Sequence, residues 1–224
     1  MTSRPPAWST TATGSLSTNT VHLFCLHHAG GTTASFAGWR FADVQVTKFS
    51  YRGRNFPSIA AAAESLAERI GTSPSPQLAL YGHSMGAVLA FEIALLLQDT
   101  GRLEHVFLAA ARPPSGRHDV GAIAAAAVSG QALSERAREV LLEDLELLAQ
   151  YPGRPANMQL TVPATVLFSS DDPVVPASES RRWVEWCAQE PRLLDIGTGG
   201  HLFHLSNPDV REIVRRTLSL KASV

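Results

Sequence analysis

Apolar residues along the chain fall into two alternating patterns. Short runs at Val21 to Leu26 (VHLFCL), Val44 to Phe49 (VQVTKF), Leu78 to Tyr81 (LALY), Val106 to Ala111 (VFLAAA), Val162 to Phe168 and Arg192 to Ile196 have the length of strands. The most continuously apolar of them suit strands covered on both faces. Between them the period changes to that of a helix: Ile59, Ala63, Leu66 and Ile70 share one face, with Pro57 near the start and Gly71 just past the end. Ala87, Val88, Phe91 and Leu95 form a second helical pattern, stopped by Gly101, and Ala177 to Ala188 and Pro208 to Leu220 form two more. Thr32 to Trp39 reads as the start of a short helix. Strand and helix in alternation predict an α/β fold with a mostly parallel, doubly wound sheet, whose reactive groups lie at the carboxyl ends of the strands.

The alternation is interrupted from Arg112 to about Leu160. No strand signal occurs there, but Leu133, Ala137, Val140, Leu141, Leu145 and Leu148 mark an amphipathic helix over about 134–150. The segment reads as a short helical lid inserted after a strand end, with Leu141, Leu145 and Leu148 laid over a substrate pocket. The same spacing also describes an ordinary core helix. Residues 1–20 are rich in Thr, Ser and Pro and poor in large apolar side chains, which predicts a loose tail. Residues 21–224 are then expected to form one domain carrying the insertion at 112–160, a size that need not split.

The candidate chemistry centres on Gly82-His83-Ser84-Met85-Gly86, at the junction of an apolar run and a helical pattern. This is the context of a nucleophile elbow, a sharp strand-to-helix turn that leaves its serine exposed and leaves no room for side chains at the flanking glycines. A serine hydroxyl needs a base within hydrogen-bond reach, and the base needs a group to orient it. His201 in Gly-Gly-His after the last strand supplies the base, and Ser-Ser-Asp-Asp-Pro at 169–173 supplies two adjacent candidates for the acid, Asp171 and Asp172. Asp195 lies inside a strand pattern and is a poorer candidate. The order Ser, Asp, His along the chain is that of an α/β-hydrolase. Two N–H donors would hold the oxyanion: Met85, at the helix N-terminus, and Ala29, in the glycine-bearing loop His28-Ala29-Gly30-Gly31 after the first strand. The remaining histidines, His22, His83, His105, His118 and His204, default to structural roles. No metal-ligand spacing, phosphate loop or dinucleotide fingerprint occurs, so no cofactor is expected.

Charge and cysteine usage narrow the picture further. With 19 basic and 20 acidic residues and a net charge of −1, nothing asks for a nucleic-acid partner. Cys25 and Cys187, the only cysteines, sit in a strand and a helix pattern, which predicts reduced thiols and a cytoplasmic location. No apolar run approaches a membrane span.

LFCLHHAGG at 23–31, GHSMGAVLAFE at 82–92, LLEDLELLAQY at 141–151, SSDDP at 169–173 and GGH at 199–201 together resemble the bacterial type II thioesterases, the stand-alone editing enzymes of polyketide and nonribosomal peptide assembly. The resemblance runs from Val21 to the end, and the Ala-Gly-Gly loop is unlike the His-Gly loops of many lipases and esterases. It places the acid at Asp172, directly before Pro173. It implies hydrolysis of acyl thioesters on the phosphopantetheine arm of an acyl or peptidyl carrier protein, a transient partner for a monomeric enzyme. Two other readings are an esterase acting on free small molecules and a non-catalytic carrier-binding protein; the Ala-Gly-Gly loop argues against the first and the Ser-Asp-His order against the second. The chain departs from the family pattern at His27, where a proline is usual, at Arg52-Gly53-Arg54 in place of Pro-Gly-Arg, and at 115–132, which is short for the first lid helices.

Overall fold

The computed structural model describes residues 20–51, 54–116, 120–121, 123–124 and 134–219. The expected tail up to residue 19, Arg52, Gly53, His118, Leu133 and most of the stretch 115–132 lie outside the described residues. Six strands, β1 (Val21–Leu26), β2 (Val44–Phe49), β3 (Leu78–His83), β4 (Leu103–Ala109), β5 (Ala164–Phe168) and β6 (Arg192–Asp195), form one sheet in the order β2-β1-β3-β4-β5-β6. Every pairing is parallel. The chain winds outward from β1 to β2, then returns to lay β3 on the other side of β1. The carboxyl ends of β1 and β3 therefore flank the switch point, where an open α/β sheet has its crevice.

Side-chain alternation along the strands feeds two cores. Phe24 and Leu26 of β1, Leu80 of β3, Leu108 of β4 and Phe168 of β5 pack with α1 (Ile59–Gly71), α2 (Met85–Leu97) and α3 (Glu135–Ala149) on one face. Leu23, Cys25, Tyr81, Phe107 and Leu167 point the other way, toward Phe36, Trp39 and α6 (Pro208–Ser219). Two short helices, α4 (Ala177–Arg181) and α5 (Phe203–Ser206), follow later in the chain. Among the described residues no helix is long and apolar enough to cross a membrane.

Several elements differ from the sequence expectation for identifiable reasons. β5 starts at Ala164 rather than Val162, because Pro163 has no N–H to give the ladder and contributes only its carbonyl, which accepts from Val106 N at 3.1 Å. The helix expected over 177–188 tightens after α4 into a 3-10 turn, Arg182–Trp186. Ser180, Trp183 and Trp186 are all buried at three-residue spacing, and a period of 3.0 keeps such positions on one face. Thr32–Trp39 yields a 3-10 turn, Thr33–Phe36, fastened by a capping box between Thr32 and Ser35.

α3 is fixed at both ends. Ser134 caps its start, its side chain accepting from Ala137 N. Beyond its end, Tyr151 Oη–H donates to Glu92 Oε1 at 2.5 Å, and Arg154 donates to both oxygens of the same carboxylate at 2.9 and 2.7 Å. Glu92 lies on α2 with its side chain 4% exposed, so a charge that would be costly alone is satisfied by a phenol and a guanidinium.

Candidate active site

Ser84 sits between β3 and α2 with φ 55° and ψ −119°, a conformation costing about 1–3 kcal/mol that persists only where the surroundings impose it. They do so here: Ser84 N donates to Ala109 O at the end of β4, and Ser84 O accepts from Ala87 N, both at 2.8 Å. The flanking glycines are required sterically. A Cβ on Gly82 would lie 2.1 Å from Gly86 O, and one on Gly86 would lie 2.2 Å from Leu26 O.

The loop after β6 brings His201 Nε2 to 2.9 Å from Ser84 Oγ. On its other side, His201 Nδ1 lies 2.9 Å from Asp172 Oδ2. The second Asp172 oxygen accepts from Val174 N at 2.8 Å and Val175 N at 3.0 Å, so the buried carboxylate is held as an acceptor. That assigns the proton of the neutral imidazole to Nδ1 and leaves Nε2 to accept from the serine hydroxyl. Asp171 faces elsewhere. Its carboxylate accepts from Ser169 Oγ at 2.5 Å, Gly200 N at 2.8 Å and Gly199 N at 3.2 Å, and these bonds, that from Ser169 first, lower its pKa. Asp171 thus ties the end of β5 to the loop that carries His201, while Asp195 accepts from Ser170 N and Gly197 N in the neighbouring turn.

Sequence reasoning assigned no task to His83 or His204. His83 is fully buried and its Nε2–H donates to the carbonyl of His201 at 2.6 Å. Its ring stacks on His204 at 3.7 Å, and burial above all holds both imidazoles neutral, well below the usual pKa. No sequence signal distinguishes this arrangement from a packed histidine.

The loop after β1 is a tight turn. Gly31 N donates to His28 O at 2.9 Å, and Gly30 has φ 72°, the positive angle that position i+2 of a type II turn needs. His28 O also receives a bond from His27 Nδ1 at 2.8 Å. With that carbonyl held by two donors, the Ala29 N–H on the opposite edge of the same peptide points away from them. His27 itself is stacked on Tyr51, whose hydroxyl donates to His27 O. From α3, Asp144 Oδ2 accepts from Gly30 N at 2.7 Å, across 114 positions of sequence. Met85 is the first residue of α2, so its N–H has no acceptor within the helix.

Two cavities open beside Ser84. One of about 60 Å³ is lined by His28, Ala29, Ser84, Ile123, Leu141 and His201 among others. A smaller one of about 10 Å³ is lined by Ser84, Met85, Val88, Ile123, Leu148 and Val175 among others. Leu141 and Leu148 therefore face the site. Leu145 is buried in the core under α3 and is not among the residues lining these two cavities. Among the described residues no cluster of His, Cys, Asp or Glu could hold a metal ion.

The Thioesterase domain family model matches residues 21–128. The chain is 30% identical to the thioesterase PikA5 of Streptomyces venezuelae, over 82% of this chain and 75% of that one. It belongs to the thioesterase family. A probable cadicidin biosynthesis thioesterase of Streptomyces griseus is also 30% identical over 82% of this chain, which spans 58% of the length of that relative. Among solved structures, the type II thioesterase BorB from the borrelidin biosynthetic cluster is 27% identical with a TM-score of 0.75, covering 89% of this chain and 92% of that one. In this thioesterase-family chain the ring of His27, just before the loop, supplies the bond to His28 O.

Proposed function

We propose that this chain hydrolyses acyl thioesters from the phosphopantetheine arm of an acyl or peptidyl carrier protein in polyketide or nonribosomal peptide assembly, for editing or release. The observation that carries the reading is the hydrogen-bonded series Ser84, His201, Asp172 opening on a cavity beside Ala29 and Met85. His201 Nε2 takes the Ser84 proton as Oγ attacks the thioester carbonyl, while Asp172 stabilises the imidazolium. The tetrahedral oxyanion lies between the N–H groups of Met85 and Ala29; each donor of this kind is worth about 10²–10³ in kcat. Collapse expels the thiol, which receives its proton from His201 and leaves acyl-Ser84. Water, deprotonated by the same imidazole, then releases the acid. No metal or organic cofactor takes part. Leu141 and Leu148 wall the substrate cavities from α3, so α3 acts as a fixed cover over the site.

The carrier is a transient partner and the enzyme acts as a monomer. Cys25 and Cys187 are both free and buried, in keeping with a reducing cytoplasm. Hydrolysis rates for one acyl group on carrier protein, coenzyme A and a simple alcohol ester test the reading. Carrier thioester is expected to be the best substrate by kcat/KM, and a preference for the alcohol ester would replace the reading with that of an esterase.

A further inference from the structure

The carboxylate of Asp144 reaches the site from α3, far from Ser84 in sequence, and touches neither Ser84 nor His201. It accepts the Gly30 N–H at 2.7 Å, and this N–H belongs to the Ala29–Gly30 peptide. That peptide decides the type of the turn. Type I and type II turns differ by its reversal, and glycine at i+2 tolerates both the φ of 72° seen here and the negative φ of a type I turn. With Gly30 and Gly31 in series, the backbone of the loop is poorly restrained by its own sterics. Asp144 supplies the restraint, through a charge-assisted bond about twice as strong as a neutral one. Leu141, one helical turn before it, closes the same side: a Cβ on Gly30 would lie 3.1 Å from Leu141 Cβ. The other end of α3 is fastened through Tyr151 to Glu92 on α2, the helix that starts at Met85. α3 therefore braces both elements that carry the candidate oxyanion donors.

We propose that Asp144 is a positioning residue that locks the turn presenting the Ala29 N–H to the oxyanion. The inference rests on reading Ala29 as an oxyanion donor. Losing a donor outright costs about 10²–10³ in kcat, so misaligning one is expected to cost about 10- to 100-fold.

The test compares the unchanged protein with Asp144→Ala, which has no acceptor, and Asp144→Asn, which keeps an acceptor oxygen, each shown by circular dichroism to be folded at the assay temperature. Two rates are read: hydrolysis of acetyl-coenzyme A, and labelling of Ser84 by a fluorophosphonate. In the second, Ser84 Oγ bonds to phosphorus, fluoride leaves and the serine proton passes to His201, so the oxyanion donors are used without a thioester. Asp144→Ala should lower kcat and the labelling rate together by about 10- to 100-fold with KM within about threefold, and Asp144→Asn should restore both to within about fivefold of the unchanged protein. A labelling rate in Asp144→Ala within about threefold of the unchanged protein would overturn the proposal, as would an asparagine variant as slow as alanine. If Asp144→Ala does not fold, Asp144→Leu, isosteric and without an acceptor, is read against the same limits. If neither folds, Gly30 amide exchange in the unchanged protein decides: slow exchange supports the tie and exchange at the rate of an open loop overturns it. An unchanged protein that is labelled by the fluorophosphonate but does not hydrolyse thioesters would sink the thioesterase reading and leave the test of Asp144 intact.

Discussion

Truncating Leu145 to alanine separates a fixed core helix from a mobile cover. The side chain is 3% exposed and lies in the core shared by α2, α3 and the sheet. The change removes three carbons, a transfer loss of about 2.4 kcal/mol at about 0.8 kcal/mol each. The cavity left behind adds to this, within the range of about 2–5 kcal/mol typical of buried Leu→Ala changes. Alanine's better helix propensity returns only a few tenths. A net loss of about 3 kcal/mol is expected, or a fall in Tm of roughly 6–12 °C for a chain of this size. Urea unfolding followed by circular dichroism reads it. Because Leu145 lines neither cavity, the preferred acyl chain length should stay as it was. Leu148→Ala is the contrast: Leu148 lines the cavity of about 10 Å³, so its truncation should shift preference toward longer acyl groups. A loss below about 1 kcal/mol for Leu145→Ala would place α3 at the low-stability end of the molecule and refute the reasoning.

The two adjacent aspartates should separate kinetically: in Asp172→Asn the amide oxygen stays with Val174 N and Val175 N, so the NH2 group faces His201 Nδ1 and imposes the wrong imidazole tautomer, which is expected to lower kcat by about 10⁴, as in serine-protease triads. Asp171→Asn only weakens a tie to Gly199 and Gly200 and should cost about tenfold or less, so a reversed ranking in parallel assays would move the acid to Asp171. Stability should also depend on pH through buried histidines. Burial lowers His22 from 6.5 to about 4 and takes His83 and His204 well below 6.5, so below pH 6.5 the unfolded chain binds protons that the folded one does not. Stability is then complete above pH 6.5 and falls as the pH falls, by up to about 1.4 kcal/mol per histidine between pH 7.5 and 5.5. Equal urea midpoints at the two pH values would contradict this.

The strands were legible because burial on both faces writes itself as runs such as VHLFCL, and the elbow because glycine at 82 and 86 is a steric demand of a turn that compresses backbone on backbone. Boundaries failed where a local conflict decided them, at Pro163 before β5 and at the tryptophan pair that turned an expected helix into a 3-10 turn. The resemblance pointed to Asp172, and the two carboxylates do face different partners; the work of Asp171 in fastening the His201 loop had no periodicity or motif to announce it. The same holds for the Asp144 tie to Gly30 and the His83 bond to His201 O. Each joins residues more than a hundred positions apart, and a pattern read along the chain records faces and periods, not such pairings.

The most direct test of the account is rapid-quench intact-mass spectrometry of the protein mixed with an acyl-loaded carrier protein. The account predicts a transient mass increase equal to the acyl group, mapped by peptide sequencing to Ser84, decaying as free acid appears, and neither adduct nor acid in Ser84→Ala. An adduct on any other residue, or acid released at the full rate by Ser84→Ala, would contradict it.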